Sequence, residues 1–278
     1  MNGGLVRLRE VFDTLTPSER KAASYILQNP GEMIELSVAE LAAKSGSSQA
    51  AIIRLCKAMG MKGYQDLKLK VAGDLQENES IGYQDIRPND SIASIIQSVS
   101  ANNIQSIRDT LKILDAEMVG RAVEALDQAK KIYFFGLGAS NLIAMDAQQK
   151  LLRINKFSFT FSDPHVQLTS AVTLTPEDAA VCISYSGETK EVIQAAKIAR
   201  ENDCRTISIT KYGESTLSKL VDIPLFTSST ENEIRSGAMS SRITQLNVID
   251  ILYLGVASHS YEQSVKYLEQ TRRAIKRL

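Results

Sequence analysis

Residues 181–192 read VCISYSGETKEV, an apolar run that gives way to small hydroxylated residues and a glycine before a helical pattern begins. The apolar run is typical of a buried strand, and the apolar spacing after the turn is typical of a helix. Ser184, Ser186 and Thr189 therefore fall at a strand-to-helix turn. Backbone N–H groups at a helix start lack intrahelical partners and carry the positive end of the helix dipole, so the turn suits a phosphate. Hydroxylated residues also cap ordinary helices, and that interpretation stays open.

Strands and helices alternate in the same way through the rest of the second half. Apolar runs at residues 132–135, 157–161, 179–184, 205–210 and 223–226 predict five strands with helical patterns between them. Two helices are predicted before the first strand, at about residues 91–114 and 116–127, and a long one follows the last, at 239–254. Strands joined by helices form a parallel sheet covered on both faces. We therefore expect an α/β three-layer domain with a five-stranded parallel sheet.

The first predicted strand ends in a second hydroxylated turn, residues 136–140, GLGAS. Ligands of open α/β sheets bind beyond the carboxyl ends of the strands, so Ser140 and the turn at residues 184–189 are expected to converge on one anion. The glycine pair also raises the alternative of a dinucleotide site. That fingerprint requires a third glycine where this chain has Asn141, and no acidic residue stands out at the end of the second strand.

The first 76 residues show only helical periodicity, and one part of them predicts a helix-turn-helix. Thr16 and Glu19, with a proline between them, form a helix-start signal for a helix to about Gln28, and a short helix near residues 32–36 follows. Residues 37–60 then read as helix, tight turn at a glycine, and helix. The outer face of the second helix is polar and basic, which fits the major groove of DNA.

The expected DNA contacts lie on that outer face and on the glycine-flanked turn after it. They are Ser47, Ser48, Gln49, Ala50, Arg54, Lys57, Lys62 and Tyr64. Between Lys44 and Lys70 the chain carries six basic residues and one acid, Asp66, so a local basic patch exists. The solvated basic face of an ordinary helical hairpin would show the same charges.

The composition limits the classes of protein to which this chain can belong. The chain has 278 residues, 44% of them hydrophobic, with 32 basic and 32 acidic residues, so it can bury a large core and has no net charge to attract nucleic acid or membranes. Its three cysteines sit in apolar surroundings, which is typical of a reducing compartment. The chain has only two histidines, His165 and His259, which argues against a histidine-rich zinc site and against a Ser-His-Asp catalytic triad. We expect a cytoplasmic protein without a membrane span, metal site or cofactor.

The two halves predict separate domains. Residues 1–76 are expected to form an all-α helix-turn-helix DNA-binding domain, residues 77–90 a polar linker, and residues 91–278 a phosphate-binding domain with flanking helices. In the closing segment, Tyr261 and Val265 belong to an apolar face at helical spacing. That face packs either on its own domain or on a second subunit.

The order of these motifs resembles the RpiR-type bacterial transcription regulators, which join an N-terminal helix-turn-helix to a sugar isomerase (SIS) domain. The resemblance rests on residues 15–20 (LTPSER), 38–42 (VAELA), 53–64 (IRLCKAMGMKGY), 136–140 (GLGAS) and 183–189 (ISYSGET), and so covers both halves. It implies an SIS fold for the second half. It also implies a phosphate held by Ser140, Ser184, Ser186 and Thr189, with Tyr185 nearby.

Residues 51–57 and 66–75 are similar in detail to regulators of amino-sugar and N-acetylmuramate 6-phosphate use. The resemblance thus implies a homo-oligomer, dimeric or tetrameric, that binds operator DNA and responds to N-acetylmuramate 6-phosphate or another amino-sugar phosphate. Glu233, with Glu231 beside it, either reaches the hydroxyl groups of the sugar or caps the helix that follows.

Two other functions stay open. SIS domains also occur in isomerases, in which a glutamate moves protons along the sugar, so one alternative is a phosphosugar isomerase with an accessory helical domain and Glu231 or Glu233 as its base. The DNA-binding motif favours binding over turnover, and no catalytic residue is assigned. A nucleoid-type DNA protein whose sheet domain only dimerises would bind no sugar phosphate.

Overall fold

The computed structural model describes residues 3–76, 90–229 and 238–277. Contacts between residues divide the chain into two compact units, Met1–Ile113 and Leu114–Leu278. This division differs from the expected domain limits, because the helix Ile92–Ile113, expected in the second domain, groups with the first unit.

The first unit is helical throughout its described residues. Its helices are α1 Gly4–Val11, α2 Pro17–Gln28, α3 Pro30–Met33, α4 Val38–Ser45, α5 Gln49–Ala58, α6 Tyr64–Gln76 and α7 Ile92–Ile113, with a 3₁₀ turn at Phe12–Thr14. Large, fully buried side chains line the inner faces of α1 to α6: Leu8, Ile26, Met33, Leu41, Ile52, Leu55 and Leu67. The predicted helical first half is confirmed.

Local signals in the sequence set the ends of these helices. Thr16 and Glu19 form a reciprocal capping box at the start of α2, as predicted. Gly46 has a φ of 62°, the left-handed conformation that the tight turn between α4 and α5 needs, and its N–H donates to carbonyl oxygens of α4. The short third helix starts at Pro30 and not near residue 32, because proline suits the first turn of a helix.

Helix α7 buries a largely polar face. Its buried polar residues are Ser98, Gln105, Ser106, Asp109 and Thr110, whereas the exposed side carries Ile92, Ile96, Ile104 and Leu111. Gln105 Nε2 donates to Asp109 Oδ1 at 2.8 Å. Burial raises the pKa of the Asp109 carboxyl above its ordinary value. Hydrogen bonds therefore help to hold the inner side of this helix.

The second unit combines strands and helices. The strands are β1 Ile132–Phe135, β2 Ser158–Thr160, β3 Ala179–Ile183, β4 Arg205–Lys211 and β5 Ile223–Thr227. The helices are α8 Ala116–Gln128, α9 Ala139–Leu152, α10 Pro164–Val172, α11 Lys190–Glu201, α12 Thr216–Leu220, α13 Met239–His259 and α14 Tyr261–Ile275. All strand pairings are parallel, in the order β2-β1-β3-β4-β5. The predicted five-stranded parallel sheet is confirmed, and α12 is an element that the sequence did not predict.

Two apolar layers cover the sheet and complete the predicted three-layer fold. On one face Phe134 and Val181 pack on helices α8, α9 and α13. On the other face Phe135 and Cys182 pack on helices α10, α11 and α12. Neighbouring residues of a strand point to opposite faces, so each strand contributes to both layers. Nowhere in the described ranges is a helix long and apolar enough to cross a membrane.

The strand order places a topological switch point between β1 and β3. From β1 the chain moves outward to β2 and then returns to add β3 on the other side of β1. The helices that follow these two strands, α9 and α11, cover opposite faces of the sheet. Their first turns therefore diverge at the carboxyl edge and leave the crevice in which such folds bind ligands.

Candidate functional site

The turn after β1 brings a helix start close to the sheet. A Cβ at Gly136 would stand 3.0 Å from the backbone carbonyl carbon and oxygen of Ser140, so glycine allows this close approach. Gly138 takes a left-handed φ of 57° just before α9 begins. Ser140, the second residue of α9, is half-buried. Its hydroxyl thus belongs to the first turn of a helix that starts at the switch point.

The turn after β3 joins its hydroxyl groups by hydrogen bonds. Ser184 is 2% exposed, and its Oγ lies 2.9 Å from Oγ1 of Thr189, the residue just before α11. The Gly187 N–H donates to Ser184 Oγ at 3.2 Å, and the Glu188 N–H donates to Ser186 Oγ at 3.2 Å. One hydroxyl hydrogen lies between Ser184 and Thr189, so the other is free to be donated to an anion.

Helix α12 and its cap hold this turn in place. Gly187 has a left-handed φ of 69°, and a Cβ there would stand 2.1 Å from Ser215 Oγ. The Glu188 carboxylate accepts the N–H and the hydroxyl of Thr216, both at 2.7 Å, and these hydrogen bonds lower the pKa of Glu188. These contacts fix the turn, and a fixed turn reduces the entropy that ligand binding must overcome.

Some of the predicted ligand residues lie in the part of the chain that the structure describes, and others do not. Ser140, Ser184, Tyr185, Ser186 and Thr189 all lie on the two turns, which the direct pairing of β1 with β3 brings side by side. The half-buried Tyr185 uses its carbonyl oxygen to accept the Lys211 N–H at 2.8 Å. Glu231 and Glu233 lie outside the described residues.

Helix α13 brings polar groups to the same edge, and the sequence analysis did not single them out. The first part of its buried face is polar, with Ser240, Ser241, Thr244 and Gln245, and the rest is apolar. His259 Nδ1, at the end of α13, lies 3.3 Å from Asp127 Oδ2, near the end of α8. Because α8 leads into β1, both helices end at the amino edge of the sheet. Helix α13 therefore begins at the carboxyl edge of the sheet. Within the described ranges Gln245 Nε2 has no hydrogen-bond partner. The sequence did contain a signal for these residues, because they recur at helical spacing on one face of the long predicted helix.

In the first unit, helix α5 presents a polar outward face. Its exposed residues include Gln49, Ala50, Ile53, Arg54 and Lys57. Ser48 caps the helix by accepting the Ala51 N–H at 3.1 Å. The hydroxyl groups of Ser47 and Ser45 lie 2.8 Å apart. The predicted DNA-recognition helix, α5, is thus packed on one side and exposed to solvent on the other.

Arg54 is the one side chain of this face tied to a buried acid among the described residues. Its Nε donates to Glu19 Oε1 at 3.0 Å, and Glu19 is 7% exposed. Burial opposes ionisation of Glu19, but hydrogen bonds from Thr16 and the Arg54 guanidinium outweigh it, so the pKa of Glu19 is lowered. The sequence identified Glu19 only as a helix cap.

The structure changes the predicted basic surface in one respect. Tyr64 is 7% exposed, and its hydroxyl lies at 3.3 and 3.0 Å from the carbonyl oxygens of Met33 and Leu36. Little of this side chain is therefore left exposed for the predicted contact with DNA, because its ring packs in the core of the unit. Lys57 and Lys62 are exposed, and within the described chain neither forms an ion pair.

Both halves of the chain match known domain families. Residues 125–255 match the SIS domain, and residues 2–78 match the helix-turn-helix domain of the rpiR family. The uncharacterized HTH-type transcriptional regulator YbbH of Bacillus subtilis is 44% identical over 274 residues, which are 98% of this chain and 97% of that protein. The chain belongs to the RpiR family.

Two further proteins are similar to this chain along nearly their whole length. The HTH-type transcriptional regulator HexR of Pseudomonas aeruginosa is 36% identical over 261 residues, 92% of this chain and 90% of that protein. The structure of Vibrio vulnificus NanR complexed with ManNAc-6P is similar with a TM-score of 0.62 and 30% identity, covering 98% of this chain and 97% of that chain. The predicted RpiR-type helix-turn-helix and SIS domains are confirmed. This RpiR protein is a DNA-binding transcriptional regulator.

Proposed function

We propose that the protein is a sequence-specific regulator of carbohydrate or amino-sugar metabolism, whose operator binding is modulated by a sugar phosphate held in the SIS domain. The observation that carries the proposal is the hydroxylated turn at residues 184–189, fixed at the switch point of a sheet in a chain that also carries a helix-turn-helix. A protein that binds operator DNA acts in the compartment that holds the DNA, in agreement with the predicted cytoplasmic location.

The phosphate is bound by the two turns. Hydroxyl groups beside the first turns of α9 and α11 come from Ser140, Ser184, Ser186 and Thr189. Tyr185 lies between Ser184 and Ser186 in the chain. Hydrogen bonds to a charged group contribute about 1.5–3 kcal/mol each, so a few of them suffice to anchor the ligand. The sugar extends toward the polar start of α13. Glu233 remains the proposed contact from the segment before that helix.

The sugar is an amino-sugar phosphate. The NanR structure is a complex with ManNAc-6P, and NanR resembles this chain along nearly its full length. Among the described residues, Gln245 Nε2 in α13 has no hydrogen-bond partner, and its N–H is a donor suited to the carbonyl of an N-acetyl group. N-acetylmannosamine 6-phosphate and N-acetylmuramate 6-phosphate are the first candidates.

The operator is contacted by α5 and the turns around it. Ser47, Ser48, Gln49 and Ala50 lie at the N-terminal end of the helix, which in this motif approaches base edges. Arg54, Lys57 and Lys62 supply positive charge beside the DNA. A dimer or tetramer would present two such helices to a palindromic site. Exposed apolar residues on α9 and α14, such as Leu142, Met145 and Tyr261, offer surface for a second copy.

Ligand binding and DNA binding can be tested together. Full-length protein first selects a duplex from a randomised pool, and that duplex is then titrated with and without each candidate sugar phosphate. A typical coupling free energy would change DNA affinity roughly 5- to 150-fold. A sugar phosphate that binds, as shown by a thermal shift, but leaves DNA affinity unchanged would refute the switch.

The competing function is a phosphosugar isomerase. The SIS domain permits it, and the names of the relatives as transcriptional regulators favour binding without turnover. Incubation with the same sugar phosphates, followed by product analysis, separates the two. Turnover that disappears in Glu231→Gln or Glu233→Gln would establish the isomerase.

A further inference from the structure

The Glu19 carboxylate uses its two oxygens for different purposes. Oε2 accepts the Thr16 N–H at 3.0 Å and so caps α2, while Oε1 accepts the Arg54 Nε–H at 3.0 Å. The Glu19 side chain is 9% exposed and the Arg54 side chain 57%. One end of the ion pair is therefore fixed in the protein, and the other end points into solvent on the face of α5.

This attachment leaves the recognition edge of the guanidinium free. Arginine has five N–H donors in a rigid plane, and the bond from Nε occupies only one of them. Since Glu19 is itself held by the helix cap, the plane of the Arg54 guanidinium is oriented before DNA binds. The two terminal nitrogens then form a fork with little freedom to rotate.

A fork of this kind discriminates among base pairs. In the major groove guanine presents two acceptors, O6 and N7, whereas adenine pairs an acceptor with a donor and thymine presents one acceptor and a methyl group. Arg54 lies five residues after Gln49 on the exposed side of α5, where a side chain of a helix laid in the groove reaches base edges. Guanine is therefore the base that matches it.

We propose that Glu19 is a positioning residue that orients Arg54 to read a guanine in each operator half-site. This inference rests on the proposed operator binding and adds a specific base contact to it.

The chain contains a matched control for Glu19. Glu40 forms a second capping box at the start of α4, where its Oε2 accepts the Ser37 N–H at 2.7 Å, but it is exposed and makes no bond to an arginine within the described residues. Glu19→Gln and Glu40→Gln both keep an acceptor for the cap. Only Glu19→Gln removes the anion that orients Arg54.

The experiment compares binding-site selection from a randomised duplex pool by full-length wild type, Glu19→Gln, Glu40→Gln and Arg54→Lys. The wild type is expected to enrich a half-site with one invariant guanine. Glu19→Gln and Arg54→Lys are expected to lose about tenfold in preference at that position and to retain the other positions, because a bidentate pair discriminates by roughly that factor or more. Glu40→Gln should match the wild type.

A base analogue checks the contact directly. Replacing that guanine by 7-deazaguanine removes N7, so it should weaken binding of the wild type and of Glu40→Gln but not of Glu19→Gln or Arg54→Lys. An unchanged base preference in Glu19→Gln would overturn the inference, and so would a loss spread evenly over all positions, which is the result expected if Glu19 only stabilises the fold. If wild type enriches no sequence, sequence-specific binding itself is refuted.

Discussion

Gly187 packs so closely against Ser215 that a Cβ on residue 187 would stand 2.1 Å from the serine Oγ. The glycine also has a φ of 69°, where side chains are strained. We expect Gly187→Ala to lower the free energy of unfolding by about 1–3 kcal/mol and to weaken sugar-phosphate binding, because the turn between β3 and α11 must shift. Denaturant unfolding and ligand titration measure the two effects.

Gly120→Ala is the control for that substitution. Gly120 lies exposed within α8 and has no positive φ, and apart from its neighbours and the backbone of its own helix no described atom stands within 4 Å of the position that a Cβ would take. Alanine there should stabilise the protein by up to about 1 kcal/mol and leave ligand binding unchanged. Equal losses from both glycine substitutions would contradict the steric explanation.

Removing the Ser184 hydroxyl should affect the ligand more than the fold. In Ser184→Ala the Gly187 N–H keeps its bond to the Ser184 carbonyl oxygen at 3.1 Å, so the turn retains a backbone hydrogen bond. We expect at least a tenfold loss of sugar-phosphate affinity, equivalent to about 1.4 kcal/mol, with a small change in the melting temperature of the free protein. Ser208→Ala is the control, since Ser208 is buried and its Oγ has no partner in the described ranges. A ligand-induced thermal shift that survives in Ser184→Ala would argue against this phosphate site.

Lys57 and Lys62 should contribute to DNA affinity through phosphate charge alone. Each alanine substitution is expected to weaken binding to all sequences and to reduce the slope of log affinity against log salt by about 0.9. Lys130→Ala, which removes a lysine paired with Glu177 in the other unit, should leave the slope unchanged. Salt titrations of operator binding give the slopes. Wild-type slopes in both Lys57→Ala and Lys62→Ala would place the phosphate contacts elsewhere.

The ion pair of Glu19 with Arg54 makes part of the stability depend on pH. The pKa of Glu19 is lowered in the folded protein, so its contribution is present above the ordinary carboxyl pKa of 4.5 and is lost as the pH falls through the lower folded value. Arg54→Ala removes one cause of the lowering and leaves a buried carboxylate. We expect a loss of about 1 kcal/mol at neutral pH, since the guanidinium is more than half exposed, and acid unfolding that begins at a higher pH. An acid transition identical to that of the wild type would exclude this coupling.

The cysteines should be unreactive in the folded protein. All three are buried, and burial raises the pKa of Cys56 to about 11 and of Cys204 to about 12, and that of Cys182 further still. Since the thiolate is the reactive species, a thiol reagent at pH 8 should modify none of them until the protein is unfolded. Mass spectrometry before and after denaturation checks this expectation.

Features with a local signal could be predicted from the sequence, and features that depend on tertiary contacts could not. The strand at residues 179–183 is an apolar run, and the start of α2 has a capping box, so both were predicted. Tyr64 looked like a surface residue because nothing nearby in sequence shows that its hydroxyl would bond carbonyl groups about thirty positions away. The bond between Glu19 and Arg54 spans 35 positions and escaped notice for the same reason. The polar start of α13 gave a periodic signal, but only the fold shows that this helix begins at the carboxyl edge of the sheet.

The placement of the polar groups in the SIS unit has a consequence for how this regulator could diversify. The hydroxyl groups at residues 184–189 and the polar start of α13 belong to segments separated in the chain by α11, β4, α12 and β5. In the proposed site, we therefore expect substitutions at Gln245 or Thr244 to change which sugar is preferred while the phosphate contacts stay intact. A gene duplicate could acquire a new effector by a few changes on one helix, without rebuilding either the sheet or the DNA-binding unit.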